Sequence, residues 1–494
     1  MAEAEKNAAQ GQETTEEVSL LDQIVESGRF GPAKPSQQKG RGLIKRFLSE
    51  VLEGQMAVSA DVESMLNGRI AEIDRLISKQ LREVMHHPEF QRLEGTWRGL
   101  KYLLSQSETG VMLKLKVLNV SKKELLKDLQ KAPEFDQSAL FKKVYEEEYG
   151  VFGGAPFGAL MGDYEFSRSG QDIELLSKIS EVAAAAHAPF ITGAQASMFN
   201  LENFTQLDAP RDLAKIFDTT EYAKWKNFRD SEDSRYVALA LPRMLLREPY
   251  GSNTVPVEAF NYEEDVDGSE HERYLWGNAA WALGAKVTQA FAKYGWCATI
   301  RGVESGGLVE GLPVHNFKTP SGDIAMKCPT ETQITDRREK ELADLGFAPL
   351  VHCKGTPNAA FFSVQSAQKP KIYDSDAATA NSRLSAQLPY IFAVSRFAHY
   401  LKVMMRDKIG GYTSRSQVQS FLNNWISNYV VSNEDAPFSV KAERPLREAR
   451  VDVVEIPSKP GSYRAVAFLR PHFQLDELSV SMRLVADLPP SANP

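Results

Sequence analysis

The sequence predicts a mixed α/β (α+β) fold: a helix-covered sheet in an N-terminal body, then a C-terminal domain of two helices and a β-sheet. Three observations lead there. Short apolar runs alternate with amphipathic stretches through the middle of the chain, the pattern of strands covered by helices. Two strongly periodic helical stretches lie between residues 384 and 429, and period-two alternation follows them as far as residue 484. The most apolar stretches, 182–191 and 236–246, are interrupted by His, Pro and Arg. Neither reaches the roughly 20 apolar residues that span a bilayer.

Composition narrows the function. A chain of 494 residues corresponds to about three domains or two large ones. Lys and Arg total 58 against 65 Asp and Glu, a net charge of −7. A nucleic-acid binder needs a basic surplus to displace counterions, so that class is not expected. Cys297, Cys328 and Cys353 contain no CxxC spacing and read as free thiols in a reducing compartment. The first 17 residues carry five glutamates, one lysine and no apolar run, unlike a secretory signal. A cytoplasmic protein without membrane insertion is expected.

Residues 1–55 read as an extended arm with a short helix, because Gly, Pro and charge dominate them. One apolar island interrupts the arm: Leu20, Leu21, Ile24 and Val25 fall on one helical face. Four residues cannot make a core, so this face is expected to dock on another surface. The basic cluster Lys39, Arg41, Lys45 and Arg46 reads as a solvated linker.

Residues 56–372 form the body. Leu66, Ile70, Ile73, Ile77, Leu81 and Val84 make one helical stripe, and Phe90, Leu93, Trp97, Leu100 and Leu104 a second; both read as core stripes. Val111, Leu113, Leu115 and Val117 alternate as a half-buried strand. Ser121 and Glu124 form a capping box that starts a helix to Lys131. Helices follow at Asp172–Ala186, Arg211–Phe217 and His271–Tyr294, with strands at Pro189–Thr192, Tyr236–Leu241 and Ala298–Arg301.

Residues 373–494 form the last domain. One helix runs from Leu384 to Met404 and is stopped by Gly410 and Gly411; a second runs from Val418 to Tyr429. Strands at Val451–Val453, Tyr463–Leu469 and Leu478–Leu484 complete it.

No chemistry-bearing motif emerges. The eight histidines show no ligand spacing, and His352-Cys353 would face opposite ways on a strand. The glycine-rich run Gly150–Gly162 lacks the Lys-Ser/Thr of a phosphate loop and reads as a tight turn. No catalytic residue, cofactor or metal is assigned, and the chain is not expected to be an enzyme. Terminal strands instead leave a sheet edge that can pair with another chain. Val451, Val453, Val480, Met482 and Leu484 are the candidates for such inter-subunit pairing. The charged run Asp336–Glu341 reads as a solvated face or a polar inter-subunit contact.

Several stretches carry a resemblance: Glu94-Gly-Thr-Trp-Arg-Gly-Leu100, Gly150 through Phe166, Leu241 through Gly251, and Phe260-Asn-Tyr-Glu-Glu264. Ser395-Arg-Phe-Ala-His-Tyr-Leu-Lys402, with Arg406-Asp-Lys-Ile-Gly410, is the most specific. From about residue 60 onward the chain resembles the large subunit of the type VI secretion contractile sheath, the TssC/VipB family. The resemblance implies a C-terminal phage-tail-sheath-like domain and no active site. It implies pairing with a small sheath subunit (TssB/VipA type) and stacking of hexameric rings around an inner tube (Hcp type). Assembly from a baseplate in an extended state, then contraction that propels tube and spike into a target cell, would follow. It also implies that a ClpV-type AAA+ unfoldase grips a short N-terminal helix, a role that Leu20, Leu21, Ile24 and Val25 fit. A sheath of a related phage-tail-like injection device is the alternative.

Overall fold

The computed structural model describes residues 34–52, 62–411, 414–456, 463–472 and 474. The chain divides into two compact units, one with residues up to 81 and 257–262, the other with 82–256 and 263–494. In the first, α1 (Lys34–Leu52) forms inside the segment read as an arm. Pro35 sits in its first turn, where a missing N–H breaks no bond. Gly40 and Gly42, each about 1 kcal/mol unfavourable in a helix interior, are carried by the Lys, Gln, Arg and Leu residues around them. The island at residues 20–25 lies outside the described residues. Next along the chain is α2 (Val62–Met85).

The second unit begins its own structure with α3 (Pro88–Ser105), where Pro88 opens the helix and the His87 side chain accepts from Glu89 N–H. The segment after it does not form the expected strand. Residues 113–120 carry no regular secondary structure, no strand among the described residues pairs with them, and Val111 is 86% exposed. Alternation suits a pleat, yet a strand also needs a neighbour for its ladder. The capping box is present: Ser121 Oγ accepts from Glu124 N–H, and the Glu124 carboxylate accepts from Ser121 N–H at 2.8 Å. It starts α4 (Lys122–Lys131).

A six-stranded sheet organises this unit. Its elements are β1 (Leu160–Phe166), α5 (Gly170–Ala186), β2 (Phe190–Ala194), α6 (Ala223–Asp230) and β3 (Val237–Leu241). A two-residue ladder, β4 (Met244–Leu245) with β5 (Trp276–Gly277), precedes α7 (Ala280–Tyr294). Then come β6 (Leu308–Val309), the hairpin β7 (Asn316–Lys318) with β8 (Ile324–Met326), α8 (Asp336–Asp344), β9 (Ala348–His352) and β10 (Ala359–Phe361). The sheet order is β1-β2-β3-β9-β10-β6. The first three pairings are parallel, joined by crossovers, and the last two antiparallel.

Period-two geometry divides the sheet between two cores. Phe190, Val237, Leu239 and Leu241 pack with α5 residues Leu176, Ile179 and Val182 and with Trp225 and Phe347. Ile191, Ala238 and Ala240 pack with Trp281, Leu283 and Val287 of α7. Small residues on this second face let α7 lie close to the strands.

Two sequence expectations change here. The helix expected from His271 starts only at Ala280, because Trp276 and Gly277 are held in the ladder to β4. Asn278 Oδ1 then accepts from Ala280 N–H at 2.9 Å. The strand expected at Ala298–Arg301 is irregular chain. Gly302 (φ +74°) turns it, and Gly302 N–H donates to the Phe361 carbonyl at 2.7 Å.

The last part contains α9 (Asp376–Ser385), α10 (Leu388–Asp407), α11 (Arg415–Ser427), β11 (Leu446–Glu455) and β12 (Tyr463–Pro471). The single helix expected from Leu384 is divided before Leu388, since Pro389 can sit only in a first turn. Ser414 and Gln417 cap α11 reciprocally. Trp296, Phe397, Leu401, Leu422, Ile426, Val451 and Val453 form the local core, with the Trp296 and Phe397 rings stacked at 4.3 Å. The strand expected at Leu478–Leu484 lies outside the described residues.

Candidate assembly surfaces

The stretches that carry the resemblance meet in two buried knots. At the first, Arg247 donates to both oxygens of Glu264 (2.6 and 2.9 Å) and to Glu94 (2.8 Å). Arg98 adds bonds to Glu94 and to the Tyr250 hydroxyl, both 2.7 Å. His86 and the Tyr250 N–H complete the shell of Glu264 at 3.1 and 2.8 Å. Burial alone would raise the Glu264 carboxyl, but His86, Arg247 and the Tyr250 N–H together hold it down to about 2. Three motifs distant in sequence are thus joined through the Arg247 guanidinium.

The same α3 turn also docks on the sheet. A Cβ at Gly99 would lie 2.2 Å from Trp281 Nε1, so only glycine fits there. Thr96 and Trp281 donate to the two oxygens of Asp163 at 2.5 and 3.1 Å. At the second knot, the Lys402 ammonium lies 3.4 Å from the centre of the Tyr149 ring. Arg406 donates to the carbonyls of Tyr149 (2.9 Å) and Val151 (2.8 Å). His399 faces the Ala186 carbonyl at 2.8 Å, and burial pushes it down to about 4. The glycine-rich run is a tight turn: a Cβ at Gly154 would meet the Glu148 carbonyl, and Ala155 N–H donates to the Glu148 carboxylate at 2.9 Å. That carboxylate occupies the Ala155 amide, and the amides of Gly150 and Gly154 bond to main-chain carbonyls.

The helical stripes are only partly core: Leu100 packs against the buried cluster around α7, but most of the other stripe residues are exposed. On α2, Leu66, Ile70, Ile73 and Ile77 are exposed. On α3 the buried side is Gly95, Gly99 and Leu103, while Leu93 (56%), Trp97 (65%) and Leu104 stand in solvent. Helix periodicity marks an apolar face; it does not say which chain covers that face. The run Asp336–Glu341 is committed within the chain, with Arg338 bonded to Glu341 and Pro210, and Glu339 accepting from Ser363.

At the hairpin, Val451 faces Ala467 and Val453 faces Ala465 in the antiparallel ladder. Their other main-chain groups are also used. Asn423 Oδ1 accepts from Val451 N–H (2.9 Å), Asn423 Nδ2 donates to the Val451 carbonyl (2.7 Å), and Gln419 accepts from Val453 N–H (3.2 Å). β11 is thereby closed on both sides within the chain. The far edge of β12 pairs with no strand among the described residues. In an antiparallel pair whose β11 members turn their N–H away, Ala465 and Ala467 turn theirs to that free edge. Val466 and Phe468 are exposed beside it. Leu20, Leu21, Ile24, Val25, Val480, Met482 and Leu484 lie outside the described residues. Among the described residues no metal-ligand cluster exists and no helix is long and apolar enough to cross a membrane.

Comparison with known proteins gives concordant results. Residues 67–368 match the VipB family model, described as EvpB/VC_A0108, tail sheath N-terminal domain. Residues 377–488 match its tail sheath gpW/gp25-like domain. The chain is 48% identical over 491 residues to the type VI secretion system sheath protein TssC1 of Pseudomonas aeruginosa strain PAO1, covering 98% of each chain. Two solved structures are more distant. The baseplate of the anti-feeding prophage gives a TM-score of 0.36 at 9% identity, over 64% of this chain and 66% of that one. Its contracted helical sheath gives 0.28 at 11% identity, over 62% and 66%. At such scores neither carries an argument about this chain. The family matches and the TssC1 likeness, which together span nearly the whole chain, do: this chain belongs to the VipB family of tail sheath proteins, and is a structural subunit of a type VI secretion sheath.

Proposed function

We propose that this chain polymerises with a small sheath subunit of the TssB/VipA type around an inner tube of the Hcp type. Rings assemble on a baseplate in an extended, high-energy form, and a switch between two packings of the same subunits propels tube and spike into a target cell. The work comes from contacts that differ between the two states, so no catalytic residue is needed and the chain is not an enzyme. The assembly would lie in the cytoplasm.

The observation that carries this reading is the bare α3 stripe of Leu93, Trp97 and Leu104, on a helix whose other side is locked to the sheet. A monomer gains nothing from such a face; a polymer gains its burial. The free edge of β12, with Val480, Met482 and Leu484, supplies strand pairing between subunits. Leu20, Leu21, Ile24 and Val25 would be gripped by a ClpV-type unfoldase after contraction. Co-expression with the small subunit and negative-stain microscopy tests the assembly: tubules are expected, and a monodisperse partner-free protein would refute it. Deleting residues 1–28 should leave tubules intact and abolish unfoldase binding to them.

A further inference from the structure

The second knot is built around an imidazole that has no room for a second proton. His399 of α10 is 2% exposed. Its Nε2 faces the Ala186 carbonyl, which only accepts, so Nε2 carries the proton and Nδ1 keeps a lone pair. That Nδ1 is buried and has no hydrogen-bond partner. The Tyr149 ring lies 5.1 Å from the imidazole and the His187 ring 6.2 Å, both edge-on. His187 ends α5 in the left-handed conformation (φ +50°), and its Nδ1 meets the Tyr236 hydroxyl at 3.1 Å.

The charges that α10 brings to the two rings are all positive. Arg396 lies over the Tyr400 ring, Lys402 donates to the Tyr145 hydroxyl at 3.1 Å, and Arg406 holds the carbonyls of Tyr149 and Val151. The π-helical segment Lys142–Tyr149 contributes the Tyr145 and Tyr149 hydroxyls. The turn before β3 contributes Tyr236, whose hydroxyl is influenced by Asp233 and Arg235. Among the described residues, the histidines ion-paired to a carboxylate are His86 and His271, and neither belongs to this knot. A proton on His399 Nδ1 would create a buried charge among cations and an unpaired N–H. Relief requires water. Behind the ring, Ala183, Ala186 and Ala188 are buried. In front of it, no residue of the loop 150–158 is buried, and Phe152 is 79% exposed. Lifting Tyr149 with its loop is therefore the short route to solvent, and a loop with so little buried surface is a natural unit of local opening.

We propose that His399 is a proton-operated latch, which on taking up a proton in mild acid frees Tyr149 and the glycine-rich loop 150–158 from α10 while the central sheet stays closed. On opening, the loop gives up its two carbonyl bonds to Arg406, and the Tyr149 ring leaves the Lys402 ammonium. Burial holds the closed His399 at about 4, against about 6.5 once water reaches it. The closed form is thus fully favoured above pH 6.5 and loses ground as pH falls toward 4. Between pH 7 and pH 5 these two values raise the opening constant about twentyfold. Burial and Lys402 press His187 in the same direction. Lys116 and the Ala155 N–H hold the Glu148 carboxyl below its ordinary value, so Ala155 keeps an ionised partner over that range.

The test is hydrogen–deuterium exchange of the full chain at pH 7 and pH 5, each rate divided by the intrinsic rate at that pH. The reporters are Gly150 N–H, bonded to the Tyr145 carbonyl, and Ala155 N–H, bonded to the Glu148 carboxylate. Their protection should fall about twentyfold at pH 5, with β2 and β3 unchanged. His399→Gln keeps a donor for the Ala186 carbonyl and cannot titrate, so its loop protection should be the same at both pH values. Should that variant misfold, the unaltered chain decides by whether the loop opens alone. Loop protection that does not fall, a fall that β2 and β3 share equally, or a fall that persists in His399→Gln overturns the proposal.

Discussion

The central sheet and the β11–β12 hairpin are written in the same alternating code, yet they end differently. β2 and β3 are buried on both faces, between α5 on one side and α7 on the other. The hairpin buries one face on α10 and α11 and leaves Val454, Val466 and Phe468 in solvent. One edge of the hairpin is closed by Asn423 and Gln419, and the other pairs with no strand among the described residues. The difference is one of closure: the sheet buries both faces within the chain, and the hairpin leaves one face exposed. α3 makes the same point on a single helix, with a glycine side docked on Trp281 and an apolar side bare.

Mutations on the two sides should therefore have opposite consequences. Trp225, wholly buried against Phe347, should cost about 3–5 kcal/mol when replaced by alanine. Trp97→Ala should stay within about 0.5 kcal/mol in the isolated chain, yet abolish co-assembly with the small subunit. Urea denaturation and negative-stain microscopy read the two effects separately. Equal destabilisation by both would erase the distinction between closed and open faces.

Acid sharpens it next. Glu264 sits at about 2 in the folded chain, against about 4.3 unfolded. Its depressed value contributes about 3 kcal/mol above pH 4.3, lost as pH falls toward 2. His399, held near 4 by burial against about 6.5 unfolded, should weaken the fold earlier, as pH falls from 6.5 to 4. Glu264→Gln should remove the lower window and His399→Gln the upper one in urea titrations across pH. An unchanged acid profile in either variant would show that its group is not linked to folding.

Two smaller effects probe the hairpin edges. Asn423→Ala strips both main-chain partners from Val451 and should cost about 1–3 kcal/mol. Ala467→Pro removes only an outward N–H on an edge strand, a position where proline is tolerated, and should cost less than about 1 kcal/mol. Tubule formation should nonetheless be lost in Ala467→Pro. Normal tubules from it would mean that the free edge of β12 makes no inter-subunit ladder.

Much of this was legible from local chemistry. Ser121 and Glu124 announce their helix because both halves of a capping box lie within four residues. The strands near 190 and 237 and the helix ending at Ala186 carry their periodicity and their stops with them. Other features depended on partners far along the chain. Residues 111–117 alternate like a strand but find no ladder among the described residues. Residues 271–279 look helical until Trp276 and Gly277 pair with β4. Glu94, Arg247 and Glu264 carry no local mark of a shared site.

Caps, turns and periodicity act over a few residues, so local sequence sets where helices and strands can form and which of their faces are apolar. Whether an apolar face becomes core or stays bare was decided only by the tertiary structure. Burial is a property of what stands opposite: Trp281 of α7 stands against Gly99, while Trp97 on the same helix is 65% exposed.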